Sequence, residues 1–261
     1  MAPSGPPLRW GQLVAIGVAA GAASGLFGVG GGSIIVPALV IVAGFGQKLA
    51  TGTSLTAVVP ISAAALVGYL GADSVDLARG GIICAGSLVG AFIGTRLLRH
   101  SADRWLQIGF AALLVATGFR MLLGEPITSG AGALDAAAVG ALLLLGLAAG
   151  VLAGLFGVGG GIIIVPALTL LGGLPVAVAK GTSLLAIVPP ALLATAQNRS
   201  VGLTAIRPAL VVGVSGVVSA VVVATLAVRL DGAVATAAFA VFLLVIALRM
   251  AYAAARPGTA A

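Results

Sequence analysis

Two stretches of backbone, rather than any set of reactive side chains, carry the chemistry this sequence can support. They are Gly28-Val29-Gly30-Gly31-Gly32, followed by Ser33, and Gly157-Val158-Gly159-Gly160-Gly161. Clustered glycines take left-handed dihedrals at no steric cost and leave the main chain bare. Inside long apolar runs such a break is tolerated only where it is buried in protein or lines a cavity. Each stretch is followed by an apolar segment that must then begin at a helix N-terminus, whose unpaired N–H groups and dipole attract an anion. Close packing is the competing use of glycine, and it is the reading for the evenly spaced Gly17, Gly21, Gly25 and Gly86, Gly90, Gly94. Neither stretch is a nucleotide loop, because the further glycine, the Lys-Ser/Thr pair and the βαβ setting are all missing.

A second group surrounds these breaks. Thr51, Thr53 and Ser54, and in parallel Thr182 and Ser183, read as opening another segment in each half. There a hydroxyl either caps the helix or donates to a ligand oxygen. Lys180 directly precedes the second set and Lys48 lies slightly before the first. Either lysine draws an anion toward a pore or is a solvated loop residue. Tyr69, Gln197 and Asn198 fall at the far ends of these segments, where they would line an opening; a loop position is the plainer reading of Asn198.

Other chemistries lack residues. Asp73, Asp76, Asp103, Glu125, Asp135 and Asp231 all fall at segment ends or connections, so no carboxylate is available for an intramembrane proton relay or cation site. The single histidine, His100, sits among Arg96, Arg99 and Arg104, and the single cysteine, Cys84, lies in an apolar run without a disulfide partner. No catalytic set and no metal-ligand spacing can be assembled, so neither an enzyme nor a cofactor is expected. The net charge of +7 is scattered over segment ends without runs or interleaved aromatics, which argues against a nucleic-acid partner.

The elements that hold these residues follow from composition. Of 261 residues, 61% are hydrophobic and 7% charged, whereas a soluble domain has about 25% charged. Runs such as Leu134 to Val151 and Leu210 to Val228 are long enough for lipid-spanning helices, which need about 20 residues. The fold class is therefore an all-α integral membrane protein, a polytopic helical bundle. The first ten residues lack a cationic head followed by a small-residue cleavage site, so no cleaved signal is read.

The bundle is duplicated. Gly25 to Leu39 returns as Gly154 to Leu168 with Ser33 against Ile162 as the one change, an offset of 129 residues from 25 to 154. The same offset maps Gly52-Thr53-Ser54-Leu55 onto Gly181-Thr182-Ser183-Leu184, and Tyr69 onto Asn198. Residues 1–129 and 130–261 thus read as two halves, the duplicated plan of secondary transporters. Helical segments are expected at 10–27, 31–46, 52–71, 79–99 and 104–123, then at 134–156, 160–172, 181–197, 203–229 and 232–253. The short second segment of each half carries Pro37 or Pro166. With five crossings per half the repeats are inverted, and one side collects Arg9, Lys48, Arg96, Arg99, Arg104, Arg199, Arg207, Arg249 and Arg256 of the 13 basic residues. By the positive-inside rule that side, with both termini, is cytoplasmic. If the short segments turn back instead, the charges divide almost evenly.

The repeated G-L-F-G-V-G-G-G-x-I-I-V-P-A-L, with G-T-S-L after it in each half, resembles the TauE/SafE family of membrane anion transporters across the whole chain. The resemblance implies a multi-pass cell-membrane transporter of sulfite, sulfoacetate or other organosulfur anions. Carried over to this sequence, its motif points to Gly28, Gly30, Gly31, Gly32, Ser33, Thr53 and Ser54, and to Gly157, Gly159, Gly160, Gly161, Thr182 and Ser183, with Lys180 alongside. The partners implied are a small anion and membrane lipid; a homo-oligomer is left open. Alternating access about a shared anion site is the expected mechanism. A passive anion channel and a non-transporting scaffold are the alternatives.

Overall fold

A computed structural model describes residues 10–123, 132–229 and 232–255. The expectations for both chain ends, with Arg9 and Arg256, and for Glu125 and Asp231 lie outside the described residues. In order, the described helices are α1 (Trp10–Phe27), α2 (Gly32–Ile41), α3 (Gln47–Leu70), α4 (Leu77–His100) and α5 (Asp103–Leu123). They are followed by α6 (Ala136–Phe156), α7 (Gly161–Leu170), α8 (Val176–Ser200), α9 (Ile206–Ala227) and α10 (Gly232–Ala255). The starts of α7, α8, α9 and α10 each trail those of α2, α3, α4 and α5 by the 129 residues of the sequence repeat.

Six described helices, α1, α3, α4, α6, α8 and α9, are long and apolar enough to cross a membrane. Their outward positions are apolar too: Leu144, Val218 and Val89 are among the large exposed side chains, as a lipid solvent requires. Helices α2 and α7 have 10 residues each, or about 15 Å at 1.5 Å per residue, half of a hydrocarbon core.

Packing follows the small-residue stripes. A Cβ at Gly17 or Gly21 of α1 would collide with the backbone of Val212 or Gly216 in α9; one at Gly86 or Gly90 of α4 would collide with that of Leu143 or Leu147 in α6. Only glycine lets these axes come so close. Serines add bonds along the same seams, Ser219 Oγ to Val18 O at 2.9 Å and Ser87 Oγ to Gly146 O at 3.0 Å. The most extensive helix pairings are therefore α1 with α9 and α4 with α6, both between the sequence halves. Each half lends its fourth helix to the other.

Directions follow from the same contacts. In α1 and α9 the partner residue advances together, Gly17 on Val212 and Gly25 on Ala220, so they run parallel; α3 joins them, with Gly52 on Leu203 and Gly68 on Ala224. Likewise α4 runs with α6. Across the centre α3 and α8 are antiparallel, because Gly52 meets Asn198 while Gly181 meets Tyr69. Since α1 and α3 point the same way, short α2 carries the chain back between them. Among the described helices, α1, α3 and α9 thus run one way and α4, α6 and α8 the other.

Two segment starts differ from expectation. α3 begins at Gln47 and α8 at Val176, roughly one turn before the segments inferred from sequence at 52 and 181. Their N-caps are Gly46 and Pro175, both with extended backbone. The threonines and serines thought to open these helices therefore sit inside them.

Candidate functional site

The two glycine stretches end α1 and α6 and turn the chain sharply into α2 and α7. Gly28, Gly30 and Gly31 have φ of +70°, +79° and +78°; Gly157, Gly159 and Gly160 have +78°, +78° and +83°. A side chain there would be strained whatever room it had. Gly28 N–H and Gly157 N–H close α1 and α6 onto Ser24 O and Ala153 O, each at 2.8 Å. Gly31 and Gly160 then cap α2 and α7 without any side-chain bond.

The loops lie against each other. A Cβ on Gly161 would stand 2.7 Å from Val29 Cα and 2.8 Å from Gly28 O, and one on Gly32 would stand 2.6 Å from Val158 Cα. Val58 and Ile187, midway along α3 and α8, back both loops. All the loop residues are buried. The N–H groups of Val29 to Ser33 and of Val158 to Ile162 donate to no acceptor among the described residues. Unsatisfied main-chain donors at membrane depth cost several kcal/mol each. Successive N–H groups in a left-handed turn, aligned with a helix N-terminus, form a concave anion nest.

The side chains around the nests are unequal. Lys180 packs against the first loop, its Cα 2.7 Å from where a Cβ on Gly28 would be; Thr51, its counterpart 129 residues earlier, packs in the same way on Gly157. Lys180 is 2% exposed and has no hydrogen bond or ion pair among the described residues. It is not a solvated loop lysine, because α8 starts four residues before it. The buried hydroxyls of Ser24, Ser33, Ser62, Thr51 and Ser183 also lack partners.

Ser62 Oγ lies 2.9 Å from a Cβ position on Gly30, beside the first loop. Ser24 and Ser62 were not anticipated, since a lone serine in an apolar helix carries no motif. A usable signal was present, however: at the repeat offset Ser24, Ser33 and Ser62 face Ala153, Ile162 and Ala191. The residues that differ between halves gather polarity around the first loop.

The hydroxyls carried over from the motif divide in role. Thr53 Oγ1 accepts from Ala205 N at 3.0 Å and Thr182 Oγ1 from Asp76 N at 2.9 Å. Each thus serves the N-cap residue of the fourth helix from the opposite half. They cap a neighbouring helix and not their own. Ser54 Oγ donates to Gly157 O at 2.8 Å and holds the second loop. Lys48 donates to Arg99 O at 3.0 Å.

Elsewhere, a cavity of about 340 Å³ between α5 and α7 is lined by Ala116, Pro166 and Leu170, among other residues, and is almost wholly apolar. Nothing in it is suited to an anion. No group of histidine, cysteine or carboxylate side chains able to hold a metal occurs among the described residues.

Comparison with known proteins matches the sulfite exporter TauE/SafE family to residues 2–134 and 142–260, one stretch for each half. A Bacillus subtilis (strain 168) protein named "Probable membrane transporter protein YunE" is 29% identical over 204 residues, covering 67% of this chain and 72% of that protein. A Xylella fastidiosa (strain Temecula1) protein named "Probable membrane transporter protein" is 30% identical over 202 residues, covering 75% of this chain and 77% of that one.

Proposed function

The chain belongs to the sulfite exporter TauE/SafE family of multi-pass membrane transporters, and from that membership we propose that it is a secondary exporter of small organosulfur anions such as sulfite or sulfoacetate. The observation that carries this reading is the pair of opposed loops whose buried N–H groups have no protein acceptor, with the unpaired Lys180 beside the first. The substrate oxyanion sits at that first loop, held by the N–H groups of Gly30 to Ser33, by Lys180 and by the hydroxyls of Ser33 and Ser62. The second loop, Gly157 to Gly161, closes against it.

The repeats 1–129 and 130–261 are inverted, and the antiparallel crossing of α3 and α8 supports this. Access alternates by relative motion of two bodies. These are not the sequence halves, because α4 and α9 pack in the opposite half: one body is α1, α2, α3 and α9, the other α6, α7, α8 and α4. The end bearing Lys48, Arg96, Arg99, Arg104, Arg199 and Arg207 faces the cytoplasm, and Arg79, Lys180 and Arg229 lie toward the other end. Both termini are then cytoplasmic and the membrane is the plasma membrane. With an inside-negative potential worth about 2.3 kcal/mol per charge per 100 mV, an anion leaves the cell downhill without a coupled ion.

The test is binding to purified protein, read as thermal stabilisation by sulfite, sulfate, sulfoacetate, taurine and acetate. A ligand that binds only the folded state raises apparent stability. A shift with a sulfur oxyanion or sulfonate that is clearly smaller in a folded Lys180→Met protein is the expected result. No shift with any of them, or an equal shift in the variant, would remove the loop site and the substrate class together.

A further inference from the structure

The same comparison between halves that sets Ser33 and Lys180 apart picks out a second polar cluster, on the side of the second loop. At the end where α4 and α8 terminate stand Thr95, Arg99, Gln197 and Asn198; their counterparts at the repeat offset are Ala224, Val228, Gly68 and Tyr69. Four polar groups at the ends of α4 and α8 thus correspond to four residues without charge or amide at the ends of α9 and α3.

The cluster is connected. Thr95 Oγ1 meets Gln197 Oε1, and Arg99 Nη2 donates to Gln197 O at 3.0 Å. Asn198 is fully buried, yet neither its amide nitrogen nor its amide oxygen has a partner, and the buried Arg99 Nε is also unbonded. Buried amides and guanidinium N–H groups left unpaired are costly. On the α3 side Tyr69 instead donates its hydroxyl to Gly25 O at 2.8 Å and closes that side. From Asn198 the polar lane continues inward, since a Cβ on Gly52 would lie 3.2 Å from Asn198 Cβ, and the neighbouring Thr51, itself unpartnered and buried, packs on Gly157 of the second loop.

We propose that Arg99, Gln197, Asn198 and Thr95 form a second anion subsite, present on one side of the bundle only, where a small oxyanion waits before it reaches the loops. This rests on the loop site being the inner station of the same path. The donors fit the class: a guanidinium and two carboxamides offer N–H groups to a sulfonate or sulfite oxygen. With Tyr69 opposite, the path is polar on the α4–α8 side and plugged on the other.

A single cysteine at 197 tests it, in protein carrying Cys84→Ala, labelled with a membrane-impermeant maleimide in the presence and absence of methanesulfonate. Gln197→Cys is expected to label, at a rate that methanesulfonate slows at least threefold. The protection is expected to persist when Lys180→Met removes the inner site. Failure to label, or labelling indifferent to methanesulfonate in protein that methanesulfonate still stabilises thermally, would overturn the subsite. So would protection that vanishes with Lys180→Met, because it would then report the loop site alone. A thermal shift by the anion panel that is undiminished in Lys180→Met protein, with protection at 197 retained, would instead sink the loop reading and leave an anion site at 197 standing.

Discussion

At the scale of single residues, the protein spends its few polar atoms unevenly. Ser33 and Ser62 are buried hydroxyls without a protein partner next to the first loop. In the proposed site each donates to an anion oxygen. Ser33→Ala and Ser62→Ala should each weaken binding by about 1.5–3 kcal/mol, the range for hydrogen bonds to charged groups, which is roughly 10- to 150-fold in Kd. Isothermal titration with methanesulfonate would check this, with unfolding temperatures changing little.

Asp76 tests a different balance at the membrane edge. Burial raises the pKa of its carboxyl, but the Arg79 backbone N–H at 2.9 Å and the guanidinium at 2.5 Å outweigh that and hold it below the usual carboxylate range. A carboxyl depressed on folding contributes stability above its unfolded pKa of about 3.9, lost as pH falls through the folded value. Asp76→Asn keeps an N-cap acceptor and should lose only that acid-side component. Asp76→Ala should lose the cap as well, at a cost of about 1 kcal/mol. Unfolding scans at pH 7 and below pH 4 would separate the two.

At the scale of elements, the fourth helix of each half is held by the other half at both its start and its flank. Thr53 and Thr182 accept from Ala205 N–H and Asp76 N–H, so Thr53→Val and Thr182→Val should each destabilise the protein by about 1 kcal/mol. Anion affinity should stay unchanged, because each hydroxyl is held at the N-cap residue of a neighbouring helix. A matched loss of affinity would return these threonines to the binding site. Gly86→Leu is more severe, since a side chain there must enter the backbone of Leu143. It should prevent α4 from seating on α6, seen as loss of folded protein after detergent extraction.

At the scale of the whole molecule, motion and voltage are the measurable quantities. If the bodies that move are α1–α3 with α9 and α6–α8 with α4, a disulfide engineered between α1 and α9 leaves transport intact, whereas one between α3 and α8 stops it. Transport blocked by the first and spared by the second would reverse the assignment of bodies. Efflux of a monovalent anion from proteoliposomes should rise with inside-negative potential and sustain a gradient of about 50-fold at 100 mV, the equivalent of 2.3 kcal/mol.

The sequence by itself determined that this is a helical membrane protein, where its chain repeats, and where glycine breaks its helices. Each of these depends on composition, period and the steric freedom of glycine, which are local properties. The identical Gly-rich motifs in the two halves, and the stripes at Gly17, Gly21, Gly86 and Gly90, were legible for that reason. Helix starts were less legible: the polar Gln47 and Lys48, Lys180, and the glycines Gly52 and Gly181 read as connections, yet α3 and α8 begin at Gln47 and Val176, about a turn earlier than expected.

Tertiary structure alone decided which hydroxyls are free and which half each helix serves. Thr53 and Ser33 read alike in the chain, but a donor 152 residues away engages Thr53 and none reaches Ser33. Lys180 and Lys48 likewise read as a pair, yet one is sealed beside a loop and the other is tied to Arg99 O. Partner atoms so distant along the chain leave no trace in local spacing. They meet only once the glycine stripes have drawn α1 onto α9 and α4 onto α6.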